Sequence, residues 1–395
     1  MDKEALHEFI ITKLDLFSKL PLNSVLYKWR YEDNKRIIIH PEKMFPLDSF
    51  LLIRTELEKK DENSQANKYK YDFLFGYLAK AKTFEYDSEI FDELYDEYLY
   101  FRRTGKYIFR SIALLKGCYL ENDQIFEIDG INIGFSYEYM DFFSWILDDL
   151  KYGPYDFLSY QNPLKRHMSP FNNKNAIIEF KEVASTPEML MSNELREKVD
   201  NLAKAILIKN GVCNQFEVSP IFTFSYLYQN SYICRVSYIH DYVFDINNSG
   251  FKLMALDDIR NLYFKIKSLK KFDINSLTIQ RFISAENKTK FDDKLLDLMI
   301  ALESLYDSIQ DELSFRISLY TTVFLQKDKE FFNRIKELYK LRSKIVHGTY
   351  VEKELLKSSV HFADEVVRNC IIKCIELDVD KKDIEKLVFE RLFSQ

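Results

Sequence analysis

All eight prolines of this 395-residue chain lie at or before Pro220, and the rest of the chain contains none. Proline removes a backbone donor and fixes φ, so it punctuates helices and central strands. A long stretch without it can carry uninterrupted helices, and the change at 220 predicts a change of architecture. Apolar residues after about 255 recur at helical spacing, which predicts helices over 255–270, 275–287, 291–308, 312–326, 328–347, 352–378 and 381–393. In the sixth, Leu356, Ala363, Val366, Val367, Cys370, Ile371 and Cys374 form one stripe, so the two cysteines read as core rather than as metal ligands.

The front part reads differently. After an opening amphipathic helix, short β-rich runs appear at Arg36–Ile39, around Tyr69–Tyr77, and at Tyr107–Leu115, Gln124–Ile128 and Ile131–Tyr137. Asp129-Gly130 between the last two is a hairpin signal. A second hairpin is predicted where Phe222, Phe224, Tyr226 and Tyr228 alternate before Gln229-Asn230 and the run Ser231–Ile239. A helix capped at Thr186-Pro187 is expected to end at Asn210-Gly211. The fold class is therefore α+β with antiparallel sheet over residues 1–246, a polar boundary at Asn247–Gly250, and an all-α bundle over 251–395.

Composition narrows the function. With 33 Phe and 26 Tyr the chain can build a large interior. Neither a secretory leader nor a run of about 20 apolar residues stands out, and five scattered cysteines suit a reducing compartment, so a cytoplasmic protein without a membrane partner or cofactor is expected. The net charge of −6 does not announce a nucleic-acid binder, but the acid excess lies before residue 246; beyond it 26 Lys+Arg stand against 24 Asp+Glu. Residues 327–344 concentrate Lys327, Lys329, Arg334, Lys336, Lys340, Arg342 and Lys344, which is either a solvated helix face or an electrostatic footprint. The basic loop 162–175, with Lys165, Arg166 and His167, is read as an ordinary surface loop.

Two charges sit where apolar residues belong. Arg342 follows Ile335 by seven residues and Leu338 by four, and Glu303 follows Leu296, Met299 and Ile300 by seven, four and three. A guanidinium keeps its proton, so a buried one requires an anion, either an acid of the fold or a bound phosphate. Glu303 is the candidate acid, with Arg316 as a second possible partner for it. His347 lies five residues after Arg342, which turns an ideal helix by about 140°. Gly348 predicts a helix stop there, and an unwound last turn would let imidazole and guanidinium share a pocket.

The runs "LTIQRFISAENKTKFDDKLLDLMIALESLYDS", "ELSFRISLYTTVFL" and "LYKLRSKIVHG" resemble, in order and spacing, the ApeA-like branch of the HEPN superfamily over roughly residues 255–380. The front part is similar in size and character to the amino-terminal region of ApeA-type antiphage proteins. The resemblance implies a helical bundle acting as a metal-independent endoribonuclease, a toxin of antiviral defence or abortive infection. It implies Arg342 and His347 as catalytic residues with Glu303 beside them, and a homodimer in which the site is often completed by a second copy. Ser343, Lys340, Lys344 and Arg316 would then bind substrate. The partners implied are RNA, with tRNA a candidate, and a phage-derived trigger or regulatory protein. A non-catalytic module binding RNA or protein is the alternative. Ser343 stands where many active members carry Asn, Asp or His. Thr349, with Tyr350 one later, stands where nucleotidyltransferase-silenced toxins carry tyrosine.

Overall fold

The computed structural model describes residues 2–18, 23–24, 27–32, 35–39, 68–81, 85–120, 125–134, 175–186, 193–212, 217–218, 221–228, 235–237, 251–253, 255–306 and 312–393. The basic loop at 162–174, the cap at Pro187 and the polar boundary at 247–250 lie outside them. The chain divides into two compact units, one of 1–115, 122–194 and 219–239, the other of 116–121, 195–218 and 240–395. That division is not the single cut at about 250 that composition suggested.

In chain order the first elements are α1 (Lys3–Ser18), β1 (Asn23–Ser24), β2 (Tyr27–Glu32), β3 (Lys35–Ile39), α2 (Lys68–Ala81), α3 (Ser88–Thr104), β4 (Tyr107–Tyr119), β5 (Phe126–Ile128), β6 (Ile131–Gly134) and β7 (Asn175–Ala184). Then come α4 (Asn193–Asn210), β8 (Glu217–Val218), β9 (Ile221–Phe224), β10 (Arg235–Ser237) and β11 (Phe251–Lys252). The chain ends in α5 (Leu256–Ser268), α6 (Leu277–Glu286), α7 (Phe291–Glu303), α8 (Leu313–Leu325), α9 (Lys329–Val346), α10 (Lys353–Leu377) and α11 (Lys381–Phe393).

The first unit carries the antiparallel sheet. Its strands run in the order β10-β9-β4-β7-β6-β5, and β1-β2-β3 form a separate small sheet. The first predicted hairpin forms, and in the second β9 pairs antiparallel with β10 while Gln229-Asn230 lie outside the described residues. Asp129 and Gly130 take φ of 52° and 79° between β5 and β6, and Thr223 of β9 pairs with Arg235 of β10. Strand β7, between β4 and β6, was not among the predicted runs.

The run around Tyr69–Tyr77 is helix, not strand, and this corrects the sequence reading. Aromatic residues at alternate positions favour strands by propensity. The buried set is Tyr71, Phe73, Leu74, Tyr77 and Leu78, a helical pattern, because α2 must bury one face against α1 and α3. The Tyr77 hydroxyl donates to Glu85 O at 2.9 Å and accepts from Asp87 N at 2.6 Å. Asp87 in turn caps α3, its Oδ1 accepting from Glu89 N at 2.9 Å.

In the second unit all seven expected helices form, with ends moved by a few residues. Helix α7 packs against α6, α9 and α10, and α8 against α9, α10 and α11. Cys370 and Cys374 are fully buried in the α10 stripe, as read, and burial pushes both thiols up. Helix α4 also belongs to this unit. Its C-terminal end meets a buried polar clamp. Asp364 Oδ1 accepts from Val212 N at 3.1 Å, Arg368 joins Asp364 Oδ2 at 3.2 Å, and Arg368 Nη1 donates to Lys209 O at 3.1 Å. Lys294 Nζ donates at 3.1 Å each to Val212 O, Ala285 O and Glu286 O, so one lysine also closes the end of α6.

Asp378, past the end of α10, accepts from the backbone N–H groups of Lys270, Lys271 and Phe272 at 2.9–3.1 Å. Those bonds, the Lys271 and Phe272 ones first, hold its carboxyl below the usual value. A carboxylate with a depressed folded pKa stabilises above its unfolded pKa, near 3.9, and that stabilisation disappears as pH falls through the folded value. Asp378→Asn should therefore flatten the acid side of the stability-against-pH curve below about pH 4. Urea melts of both proteins between pH 7 and pH 3 would show it; parallel curves would remove Asp378 as a contributor.

Candidate active site

Helix α7 starts with Asp292 and Asp293 in its first turn, where carboxylates favour the helix dipole, and buries Leu295, Leu298, Met299 and Leu302. Its last residue is Glu303. Ser304, the cap, joins Thr278 of α6 through a 2.8 Å hydroxyl contact. Helix α9 starts at Asp328, whose carboxylate accepts from Phe331 N at 2.9 Å, and buries Ile335, Leu338, Tyr339 and Leu341. Arg342 comes next on that stripe. Val346, one turn further, is 61% exposed, so the buried stripe ends at Arg342, where α9 leaves the core.

The two misplaced charges meet. Arg342 Nη2 lies 3.5 Å from Glu303 Oε2, with side chains 34% and 20% exposed. Arg342 is thus the ion-pair partner of Glu303, one of the two that the spacing allowed. Arg316, the other possible partner, lies in α8 with Nη2 3.4 Å from the Tyr320 hydroxyl.

The pair is poorly satisfied. Glu303 Oε1, Arg342 Nε and the hydroxyl of Tyr339 are shielded from solvent, yet none of the three has a hydrogen-bond partner among the described residues. Native interiors hold few such atoms, and a cluster of three marks either a strained store or a place for a guest. Burial pushes the Glu303 carboxyl up, against the pull of Arg342 and, more weakly, of Tyr339. Burial and then the Glu303 charge push the Tyr339 phenol up in turn, although its hydroxyl stops short of hydrogen-bond geometry with the carboxylate. Tyr339 was not singled out from the sequence. The available signal was its position, three residues before a charge on the apolar stripe, because a core phenol needs a polar partner.

His347 is placed elsewhere. It caps α9 with φ −86° and ψ 8°, and its N–H still donates to Ser343 O at 3.1 Å. Gly348 takes φ +70°, its N–H bonding Ile345 O at 2.9 Å, while Thr349 N bonds Lys344 O at 2.8 Å. That is a Schellman stop. The expected glycine cap is present, but the last turn stays wound, which corrects the idea that it unwinds to bring the imidazole to the guanidinium. Within one chain Arg342 and His347 leave different faces of α9, and His347 is exposed. A Cβ at Gly348 would meet nothing within 4 Å, so Gly348→Ala should cost only its left-handed strain, about 1 kcal/mol. Melting of the variant checks this; a loss several times larger would mean that the cap holds more than the helix end.

Of the other expected substrate contacts, Ser343, Lys340 and Lys344 are exposed near Arg342 in sequence, and Lys340 pairs with Glu337 at 2.6 Å. The basic run is only partly free for a ligand. Arg334 stacks 3.7 Å from the Phe362 ring centroid and Lys336 Nζ lies 5.6 Å from that of Phe332. No group of three or more His, Cys, Asp or Glu that could hold a metal ion occurs among the described residues, and no described helix is long and apolar enough to cross a membrane. No family model, curated protein or solved structure matches the chain.

Proposed function

We propose that the chain is a metal-independent RNA endonuclease of the HEPN type, acting in antiphage defence, with its site at Arg342. The observation that carries this reading is the incompletely paired Arg342. A guanidinium held by a single 3.5 Å contact, with Nε unmet and a third of the side chain exposed, can turn onto a phosphate at little cost. Its fixed charge then stabilises the phosphorane-like transition state. The ribose 2′-hydroxyl attacks the adjacent 3′-phosphate, the bond to the 5′-oxygen breaks, and the products are a 2′,3′-cyclic phosphate and a 5′-hydroxyl.

His347 transfers a proton in this scheme. Because it leaves a different face of α9 from Arg342, the two act together when a second copy supplies one of them. The reading thus includes a homodimer. Exposed Lys340, Ser343 and Lys344 bind the flanking RNA backbone, and cytoplasmic RNA, tRNA among it, is the substrate class. The experiment is co-expression of differently tagged Arg342→Ala and His347→Ala chains, with purification of the mixed dimer. Each homodimer should fail to cleave tRNA in EDTA, and the mixed dimer should recover activity through its one intact pair. Cleavage by the His347→Ala homodimer equal to wild type sinks the proposal.

The exposed, unconverged His347 gives the second reading its footing: a module that binds RNA or protein without turnover. It predicts salt-sensitive RNA affinity from the α9 lysines with no cleavage under any condition.

A further inference from the structure

We infer that Glu303 and Tyr339 form the seat of the attacking ribose 2′-hydroxyl, with Glu303 as the base that takes its proton. This rests on the ribonuclease reading above, and goes beyond it by assigning the base to Glu303 and giving Tyr339 a role.

The argument starts from the three unmet atoms. Glu303 Oε1 accepts, Arg342 Nε–H donates, and the Tyr339 hydroxyl donates or accepts. A hydroxyl has one proton to give and two lone pairs to offer, so one guest hydroxyl satisfies the set: its O–H to Glu303, its lone pairs to Tyr339 and Arg342. A phosphate oxygen only accepts; in this seat it would leave Glu303 Oε1 unmet and face its charge. The seat therefore selects the hydroxyl, and the phosphate belongs on the outer guanidinium nitrogens. The three atoms are shielded from solvent, so a guest enters only when the guanidinium swings outward. The guanidinium side chain is the outermost of the three, and turning its outer nitrogens onto the phosphate breaks the single contact to Glu303 Oε2 while Nε stays behind.

The proton ledger closes. The 2′-O–H proton passes to Glu303, the 2′-oxygen bonds phosphorus, the phosphorus bond to the 5′-oxygen breaks, and the imidazolium of His347 protonates that oxygen. Burial, which raises the Glu303 carboxyl, makes it a better acceptor near neutral pH, whereas Tyr339 draws it down. The charged and titratable groups that act on Glu303 are Arg342 and Tyr339, both on α9; Tyr339 is itself sensed by Tyr306, whose hydroxyl lies 2.9 Å from that of Thr321.

The test is the pH profile of kcat/KM on an RNA oligonucleotide for wild type, Glu303→Gln and Tyr339→Phe, with a melt of each. Glu303→Gln should lose about 10²-fold or more. Tyr339→Phe should lose about tenfold, move the acid limb to higher pH and melt no lower than wild type, because it deletes an unmet buried hydroxyl. A seat that only shapes the core would leave the acid limb where it was, and that result overturns the inference, as does Glu303→Gln cleaving within threefold of wild type. Should Glu303→Gln not fold, the Tyr339→Phe profile decides alone. If wild type cleaves no RNA, the ribonuclease reading fails first and the seat falls with it; if wild type cleaves and the profiles do not move, only the seat is wrong.

Discussion

Arg342→Ala should lose at least about 10³-fold in RNA cleavage and change thermal stability by only a few degrees. The two halves of that result come from different facts. On the proposed ribonuclease reading, cleavage should fall because the half-buried guanidinium would be the cation held against the scissile phosphate. Stability hardly changes because the pair is partly exposed and makes one 3.5 Å contact. Ion pairs of that kind contribute about 0–1 kcal/mol. The carboxylate left behind also has an escape, since burial already favours its protonated form. A folding ion pair would behave in the opposite way, with a drop in melting temperature on the order of 10 °C and no separate effect on turnover. Measuring cleavage and melting on the same preparation separates the two roles.

The largest effect on stability is expected at Gly211, far from that chemistry in sequence. It ends α4 at φ +85°, with its N–H 2.7 Å from Leu207 O. A Cβ there would stand 2.9 Å from Arg368 Nε and closer still to the Asp364 carboxylate. Alanine therefore meets left-handed strain and, at the same time, pushes apart a carboxylate that is 4% exposed and its guanidinium. The strain costs about 1–3 kcal/mol, and opening a buried pair about 3–5 more, because each charge is left without its partner. Gly211→Ala should lower the melting temperature by roughly 10 °C or more. Asp364→Asn, which keeps the shape and the Val212 acceptor, should cost less. Equal melting of Gly211→Ala and wild type would mean that α4 is not held by this clamp.

Much of the second unit was legible because each helix has to bury one stripe, and a stripe repeats every three to four residues. The seven helices after 255 and the core role of Cys370 and Cys374 follow from that periodicity, and it marks Glu303 and Arg342 as misplaced charges while leaving Arg316 open as a second partner for Glu303. What it could not supply is long-range closure. Helix α4 belongs with the helical unit through Asp364, Arg368 and Lys294, and nothing local to residues 195–212 announces such partners. In the first unit, alternate aromatic residues at 69–77 mimicked a strand because rings favour sheets, yet the second neighbour of each ring decided the matter: Leu74 and Leu78 complete a helical face. At the site the spacing singled out Arg342 and Glu303 without deciding their pairing, and it did not give the winding of α9 through His347. A glycine predicts where a helix stops, not whether its last turn loosens before the stop.

The most direct test uses an RNA oligonucleotide and its twin with a single 2′-deoxyribose at the cleaved linkage, incubated in EDTA with wild type and with Arg342→Ala, followed by analysis of the new ends. A 2′,3′-cyclic phosphate and a 5′-hydroxyl from wild type alone, with the deoxy linkage intact, is the result that Arg342-directed attack by the 2′-hydroxyl requires. Cleavage of the deoxy linkage, a 3′-hydroxyl with a 5′-phosphate, or equal cleavage by Arg342→Ala would contradict it.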